Sequence, residues 1–483
     1  MDYYQLGGFN AAVYSYKGKN LGKTVYHRLL ARQNSNADQP LELVLGIKKS
    51  GTTHILLTSS EKNSLRSLHD VRLWDSPSPA SDFESLSPIL FDNVQELEAK
   101  LASLQPKPKS TYDTSQLNKA YQGMHSFGNQ RSQFENARMF YRVLQNPRID
   151  QRERKFQLED RSWSSVRVIS FCFNVWLCDT RSPQDRRNSP RILDIAWCEA
   201  STPTLENDQM LSCRHIVFKN NQNLRNPIKK PNKQVADGSK PEQEDEEQIE
   251  RTRYEYGETE FYEPQIVTEK IQEEFGRFNT DGPVVLLVHN FRNPESDTQQ
   301  IGVTATDVFR SLGIDMTHWD LSLRNLLRNP GATPRQATDA RGPRFSSRDP
   351  RRPAAESRRR SASPHRGAER GRMQSSPPPR RYPPVYVVDV QSMYHSVFGT
   401  RDGSDSVPAM LDRMPEIKEM FMPQGWCAGN ECQMLLEVFR EMARRGAIDE
   451  QKDEWIQTPI LIPPVSQNPA GYEEESDYGS DSD

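Results

Sequence analysis

His289 and Asn290 close the apolar run VVLLVH at its carboxyl end, the end at which open α/β sheets bind ligands. They are the candidates for nucleic-acid contact on ordered structure, set against the plainer reading of His289 as a satisfied structural histidine. Cys213 and His215 stand i and i+2 on one strand face, and Cys427 and Cys432 follow much later. These four could be assembled into a zinc site on paper. Cys427 and Cys432 lack finger spacing, so no zinc is expected. A different chemistry is offered by Arg358, Arg359 and Arg360 in the run SRRRSASPHR. Clustered guanidinium groups attract phosphate backbones through counterion release, an effect that weakens steeply with salt. The plainer reading is a solvated, phosphorylatable linker, and such tracts also bind proteins or act as nuclear address labels. Phosphate-loop, Ser-His-Asp and dinucleotide fingerprints are absent.

The elements that must position these residues centre on the stretch from Val166 to Trp197. It reads as a first strand, Val166 to Trp176, so continuously apolar that it must be covered on both faces. A solvated Ser/Pro/Arg/Asp loop follows, and a second strand, Arg191 to Cys198, returns antiparallel. A third strand covers Cys213 to Lys219. Pro264 then opens a helix with Ile266, Ile271, Phe275 and Phe278 as its buried stripe. Val284 to His289 is the fourth strand, 298–312 a helix with Ile301, Val308, Phe309 and Leu312 inward, and Val385 to Val390 the fifth strand. Residues 407–421 read as a helix carrying Met410, Leu411, Met414, Ile417 and Phe421, a stripe that fits a core. A last helix carries Cys432, Leu435, Leu436, Phe439 and Met442 inward. Strands interleaved with helices in this order predict an α/β fold with a mixed, five-stranded sheet.

The other segments look different. Residues 1–160 read as an N-terminal α+β extension or small module, with a hairpin over Leu41 to Thr58 and a helix from Asn93 to Leu104. Ser132 and Glu135 predict the start of a second helix, and Pro/Ser-rich links are expected at 76–88 and 105–115. Apolar residues make up only 34% of the 483-residue chain, so a good share of it is expected not to pack. Three segments are the expected unpacked parts: an acidic loop at 220–253, an insertion at 332–384 with 14 Arg against four acids, and an acidic tail at 448–483. No run of 18 apolar residues and no signal-peptide layout occur, which predicts a soluble, intracellular chain with no membrane partner. Six cysteines without a CxxC pair fit a reducing compartment.

Taken in order, ISFCFNVW, RILDIAW, LLVHN, VYVVDV and WCAGNECQMLL resemble the ribonuclease H-like fold of the DEDD-type 3′–5′ exonucleases. The resemblance is nearest to the fungal branch named for "good for full DEAD-box activity" proteins. It covers about 165–330 and 385–446, within a domain expected over 161–330 and 385–447. It implies four carboxylates around two Mg²⁺ or Mn²⁺ ions about 3.5–4 Å apart, which activate water and stabilise the leaving oxygen. Carried onto this chain, the family's first acidic pair falls on Cys172 and Asn174, a later Asp falls on Pro294, the general-base His on Trp426, and Glu431 is the one carboxylate kept.

A thiol is a soft ligand and Asn is neutral, so these positions cannot hold two hard dications, and the proton acceptor is gone as well. The resemblance therefore implies a fold kept without its hydrolysis. No catalytic residue and no cofactor are expected, and the chain reads as a nucleic-acid-binding protein, RNA foremost, in RNA metabolism such as messenger-RNA export. Ribonucleoprotein or export proteins are the implied partners, and nucleus and/or cytoplasm the implied location. Two alternatives stand beside it. In one, Asp179, Asp194, Asp297 and Glu431 rebuild a metal-dependent nuclease site, although Asp194 looks structural. In the other, the charged segments make a protein-interaction scaffold without RNA.

Overall fold

The computed structural model describes residues 1–15, 21–33, 39–121, 125–146, 154–158, 163–200, 205, 212–224, 226, 253–277, 282–291, 302–328, 385–398, 406–411, 413–418 and 427–457. Among these, the strands are β1 (Asp2–Gln5), β2 (Val13–Ser15), β3 (Leu41–Lys48), β4 (Thr53–Thr58), β5 (Val71–Leu73), β6 (Ser78–Pro79) and β7 (Phe83–Phe91) in the first third. Then come β8 (Arg167–Val175), β9 (Ile192–Ala200), β10 (Ser212–Phe218), β11 (Thr259–Tyr262), β12 (Val284–Val288) and β13 (Val385–Asp389). Pro294, Asp297, Trp426, Arg358, Arg359 and Arg360 lie outside the described residues, as do nearly all of the acidic loop, the 332–384 insertion and the segment after 457.

The α/β reading with a mixed sheet holds, but the sheet has six strands, in the order β11-β10-β9-β8-β12-β13. β9 runs antiparallel to both of its neighbours, and the remaining pairings are parallel. The additional strand is β11, four half-exposed residues at the sheet edge just before Pro264. An edge strand this short carries almost no apolar pattern. β8 is buried along most of its length, as its continuous apolar sequence requires.

Alternation along β8 sends its side chains to two different cores. Ile169, Phe171 and Phe173 meet the helices Pro264–Arg277 and Ala305–Ser311 on one face, with the Phe171 and Phe309 ring centroids 4.5 Å apart. The stripe of the first of these helices is Val267, Ile271 and Phe275, whereas Ile266 is 42% exposed. The helix predicted over 298–312 begins at Ala305, because Thr304 and Asp307 form a capping box that starts it there, and residues 298–301 lie outside the described residues. Val168 and Cys172, with Ala196 and Cys198 of β9, face the other way against the closing helix Ala428–Arg444. The helix expected over 407–421 is two short pieces, Val407–Leu411 and Pro415–Lys418, the second opening on its proline.

Residues 1–160 share a core with the mixed sheet. β6-β1-β4-β3-β7 form an antiparallel five-stranded sheet. The helix His125–Gln145 runs between the two sheets, and its Phe134, Ala137, Phe140, Val143 and Leu144 join Val44, Leu56 and Leu86 to Cys172, Leu287 and Tyr386 in one cluster. The helices Leu21–Gln33 and Val94–Ser103 cover the outer face of the antiparallel sheet. The helix His125–Gln145 starts well before Ser132, so Ser132 and Glu135 are interior to it and do not mark its start. The expected 76–88 link is mostly strand: Pro88 sits in β7, on the free edge of the sheet, where the lost N–H costs little.

The expected acidic tail is, at its start, a docked helix, Ile448–Gln457. Glu135, fully buried, accepts from Ser87 Oγ (2.5 Å), Arg138 Nη1 (2.5 Å) and the Ile448 backbone N–H (2.8 Å). Arg131 pairs with Asp449 and donates to the Gly51 carbonyl at 2.8 Å. Acidic residues in the first turn suit the helix N-terminus and are held there by cations from distant elements. No helix among the described residues is long and apolar enough to cross a membrane.

Candidate functional site

The step Ala428-Gly429-Asn430 is where the closing helix lands on the mixed sheet. Cys427, at the cap position, makes no side-chain cap bond. Instead the Ala428 N–H donates to Asp194 Oδ2 of β9 at 3.1 Å, so the helix N-terminus is satisfied by a carboxylate from another element. A Cβ on Gly429 would lie 2.5 Å from the Tyr254 ring and 3.2 Å from His215 Cβ, so only glycine lets the helix approach this closely. Asn430 accepts from the Glu255 N–H (3.1 Å) and donates to the Arg253 carbonyl (3.0 Å), pinning the segment that carries Tyr254. Gly429→Ala should therefore destabilise the protein by about 1–3 kcal/mol in urea unfolding, the usual cost of overpacking. A midpoint unchanged from wild type would show that the contact is not tight.

Strand register places the site's side chains in rows. Cys172 opposes Ala196, Ala196 opposes His215, and His215 pairs with Thr259; one step along, Asn174 opposes Asp194. Asp194, His215 and Cys427 thereby meet, all buried, with their donor atoms within 4.8 Å of one another. His215 Nε2 is 2.8 Å from Asp194 Oδ2 and 3.7 Å from Cys427 Sγ, while Nδ1 is 3.0 Å from Thr259 Oγ1. Because the carboxylate can only accept, the ring carries its proton at Nε2 in this arrangement. Burial, with the Asp194 charge behind it, pushes the Cys427 thiol up to about 12. Asp194 Oδ1 is buried and has no hydrogen-bond partner among the described residues.

Of the positions singled out by the family resemblance, the described ones, Cys172, Asn174 and Glu431, converge beside this cluster. Asn174 Nδ2 donates to Glu431 Oε2 at 3.2 Å. Burial, reinforced by Asp194 and the Cys432 sulfur, raises the Glu431 carboxyl to about 8 despite that bond. At neutral pH it is a neutral acid paired with an amide. Cys172 is fully buried next to Cys432, and burial keeps its thiol well above the ordinary range. The Cys432 Sγ faces the Ala196 carbonyl at 3.3 Å.

His289 and Asn290 do not join this group. The His289 ring stacks on Phe173 (centroids 5.1 Å apart), which points to the face opposite Cys172 and Asn174, and burial lowers it to about 4. Asn290 takes a positive φ of 54° and donates to the Val303 carbonyl at 3.0 Å, anchoring the turn before the next helix. Of the four carboxylates that might rebuild a nuclease site, Asp194 and Glu431 come together. Asp179 is bound by Arg181 Nη2 at 2.6 Å and Asp297 is not described. Of the four zinc candidates, His215 and Cys427 meet, while Cys432 turns toward the β8 and β9 carbonyls and Cys213 lies near Gln433 Nε2, at 3.7 Å.

Sequence reasoning set Asp194 aside as structural and passed over Asp389. Asp389 ends β13, accepts from Ser392 Oγ at 2.7 Å and is raised by burial to about 6. A lone acid closing an apolar strand was a visible signal for it. Asp194 inside RILDIAW was another, since an acid within a strand buried on both faces needs a partner. No protein-family model matches this chain, and no curated protein matches its sequence.

Proposed function

We propose that this chain is an RNA-associated protein whose mixed sheet is a ribonuclease H-like, exonuclease-type fold that no longer hydrolyses its ligand. The motifs behind the resemblance fall on adjoining strands of one sheet and on the helix that covers it, as a shared site requires. The observation that carries the reading is the Asn174–Glu431 hydrogen bond. Cys172, Asn174 and Glu431 lie together, and they offer an amide, a protonated acid and a buried thiol where two dications need converging charge. Affinity for RNA comes in this reading from the arginine tract around Arg358, Arg359 and Arg360, and the role is in RNA metabolism, with ribonucleoprotein partners in nucleus or cytoplasm.

One experiment tests both halves. The full chain, a chain lacking 332–384 and Glu431→Ala are each incubated with 3′-labelled RNA and Mg²⁺ or Mn²⁺, and binding is measured at about 50 and 200 mM salt. No shortening is expected, and the deletion should weaken binding roughly tenfold at the lower salt and flatten the salt dependence. Shortening that Glu431→Ala abolishes would make the chain an active nuclease. Binding untouched by the deletion would remove the RNA reading.

A further inference from the structure

We propose that Asp194, His215 and Cys427 form a structural Zn²⁺ site that staples β9 and β10 to the start of the closing helix. The inference stands apart from the RNA reading.

The donor set is one imidazole nitrogen, one carboxylate and one sulfur, which suits zinc and excludes magnesium as the preferred ion. Tetrahedral zinc with ordinary bond lengths separates N from S by roughly 3.6 Å and N from O by roughly 3.3 Å. The corresponding separations are 3.7 Å for His215 Nε2 to Cys427 Sγ and 2.8 Å for His215 Nε2 to Asp194 Oδ2. The first needs no change, and the second must open by about half an ångström as a hydrogen bond becomes two metal bonds.

Second contacts of the kind metal ligands keep are already present. Thr259 Oγ1 holds His215 Nδ1, the Ala428 N–H holds Asp194 Oδ2, and Tyr254 covers the imidazole with ring centroids 5.2 Å apart. Asp194 Oδ1, buried and without a partner among the described residues, is the group a metal would satisfy, completing a fourth position by bidentate binding.

The proton balance closes. Zinc displaces the thiol proton of Cys427 to solvent. The imidazole proton moves from Nε2 to Nδ1, where it is donated to Thr259 Oγ1, and Asp194 binds as the carboxylate. Zn²⁺ with one thiolate, one carboxylate and a neutral imidazole has no net charge, which is what a fully buried site demands.

The test is metal analysis of the full chain, expressed in zinc-supplemented medium and desalted without chelator. About one zinc per chain is expected, falling at least tenfold in Cys427→Ala and in His215→Gln. Cys178→Ser, at an exposed thiol outside the cluster, should keep its zinc. Should the ligand variants fail to fold, the wild-type chain loaded with Co²⁺ decides alone: a thiolate-to-cobalt charge-transfer band with tetrahedral visible bands is expected. Zinc below about a tenth of an equivalent, a cobalt spectrum without the thiolate band, or equal zinc in wild type and Cys427→Ala would each overturn the proposal.

Discussion

Asp449→Ala should cost about 3–5 kcal/mol and free the helix Ile448–Gln457 from the rest of the protein, because it strands a buried cation. Arg131 is 1% exposed, lies over the Tyr121 ring at 4.2 Å and has Asp449 as its anionic partner, with Lys100 3.4 Å from the same carboxyl. Removing both members of the pair, as Asp449→Ala with Arg131→Met, should recover a large part of the loss, since the guanidinium is then no longer left unpaired in the core. The readout is urea unfolding together with proteolysis at the C-terminal helix. If the double variant were as unstable as the sum of the two singles, the pair would not be the cause.

The same pair sets an acid limit. Burial pushes the Asp449 carboxyl up, but Arg131 and Lys100 together outweigh it and hold the group well below the ordinary carboxylate range. The unfolded chain takes up the proton near the ordinary value of about 3.9, and the folded chain only at lower pH. The pair's contribution is therefore complete above about pH 4–5 and lost as pH falls below that. Asp449→Asn should flatten acid unfolding in this window.

Glu431→Gln should have the opposite pH signature. The folded carboxyl keeps its proton up to about pH 8, while the unfolded one releases it near 4.5. A raised carboxyl favours the folded state at low pH, and that contribution disappears as pH rises from about 4.5 through 8. Gln preserves an acceptor for Asn174 and has no proton to lose. In chelator-dialysed protein the variant should match wild type near pH 5 and exceed it by a few kcal/mol near pH 8.5. Parallel stability curves for the two proteins would mean that Glu431 ionises freely in its site.

Local pattern carried the strands of the mixed sheet that are buried on both faces. β8, β9, β12 and β13 are largely apolar runs too continuous to be anything exposed, and they are strands; β10 is buried only from His215 onward. At two other strands the signal failed: β11 is four partly exposed residues at a sheet edge, and β7 hides behind Ser85, Ser87 and Pro88. Charge misled in the same way. Asp449, Glu450, Asp453 and Glu454 look like the start of a solvated tail, and Glu135 looks like half of a capping box. Asp449 and Glu135 are instead buried against Arg131 and Arg138, and the Asp449 contact spans 318 residues of chain.

The sequence by itself determined which residue types were available: a thiol and an amide at Cys172 and Asn174, a single acid in the Trp426–Cys432 step, and a histidine two places after Cys213. Side-chain chemistry is local, so it can be read from one letter and its neighbours. Tertiary structure alone decided which of them meet. His215 reaches Asp194 through strand register and Cys427 through the landing of a helix 212 residues later, and Glu431 is protonated only because packing removes its water. Burial and long-range contact are properties of the whole fold, and no short window of sequence contains them.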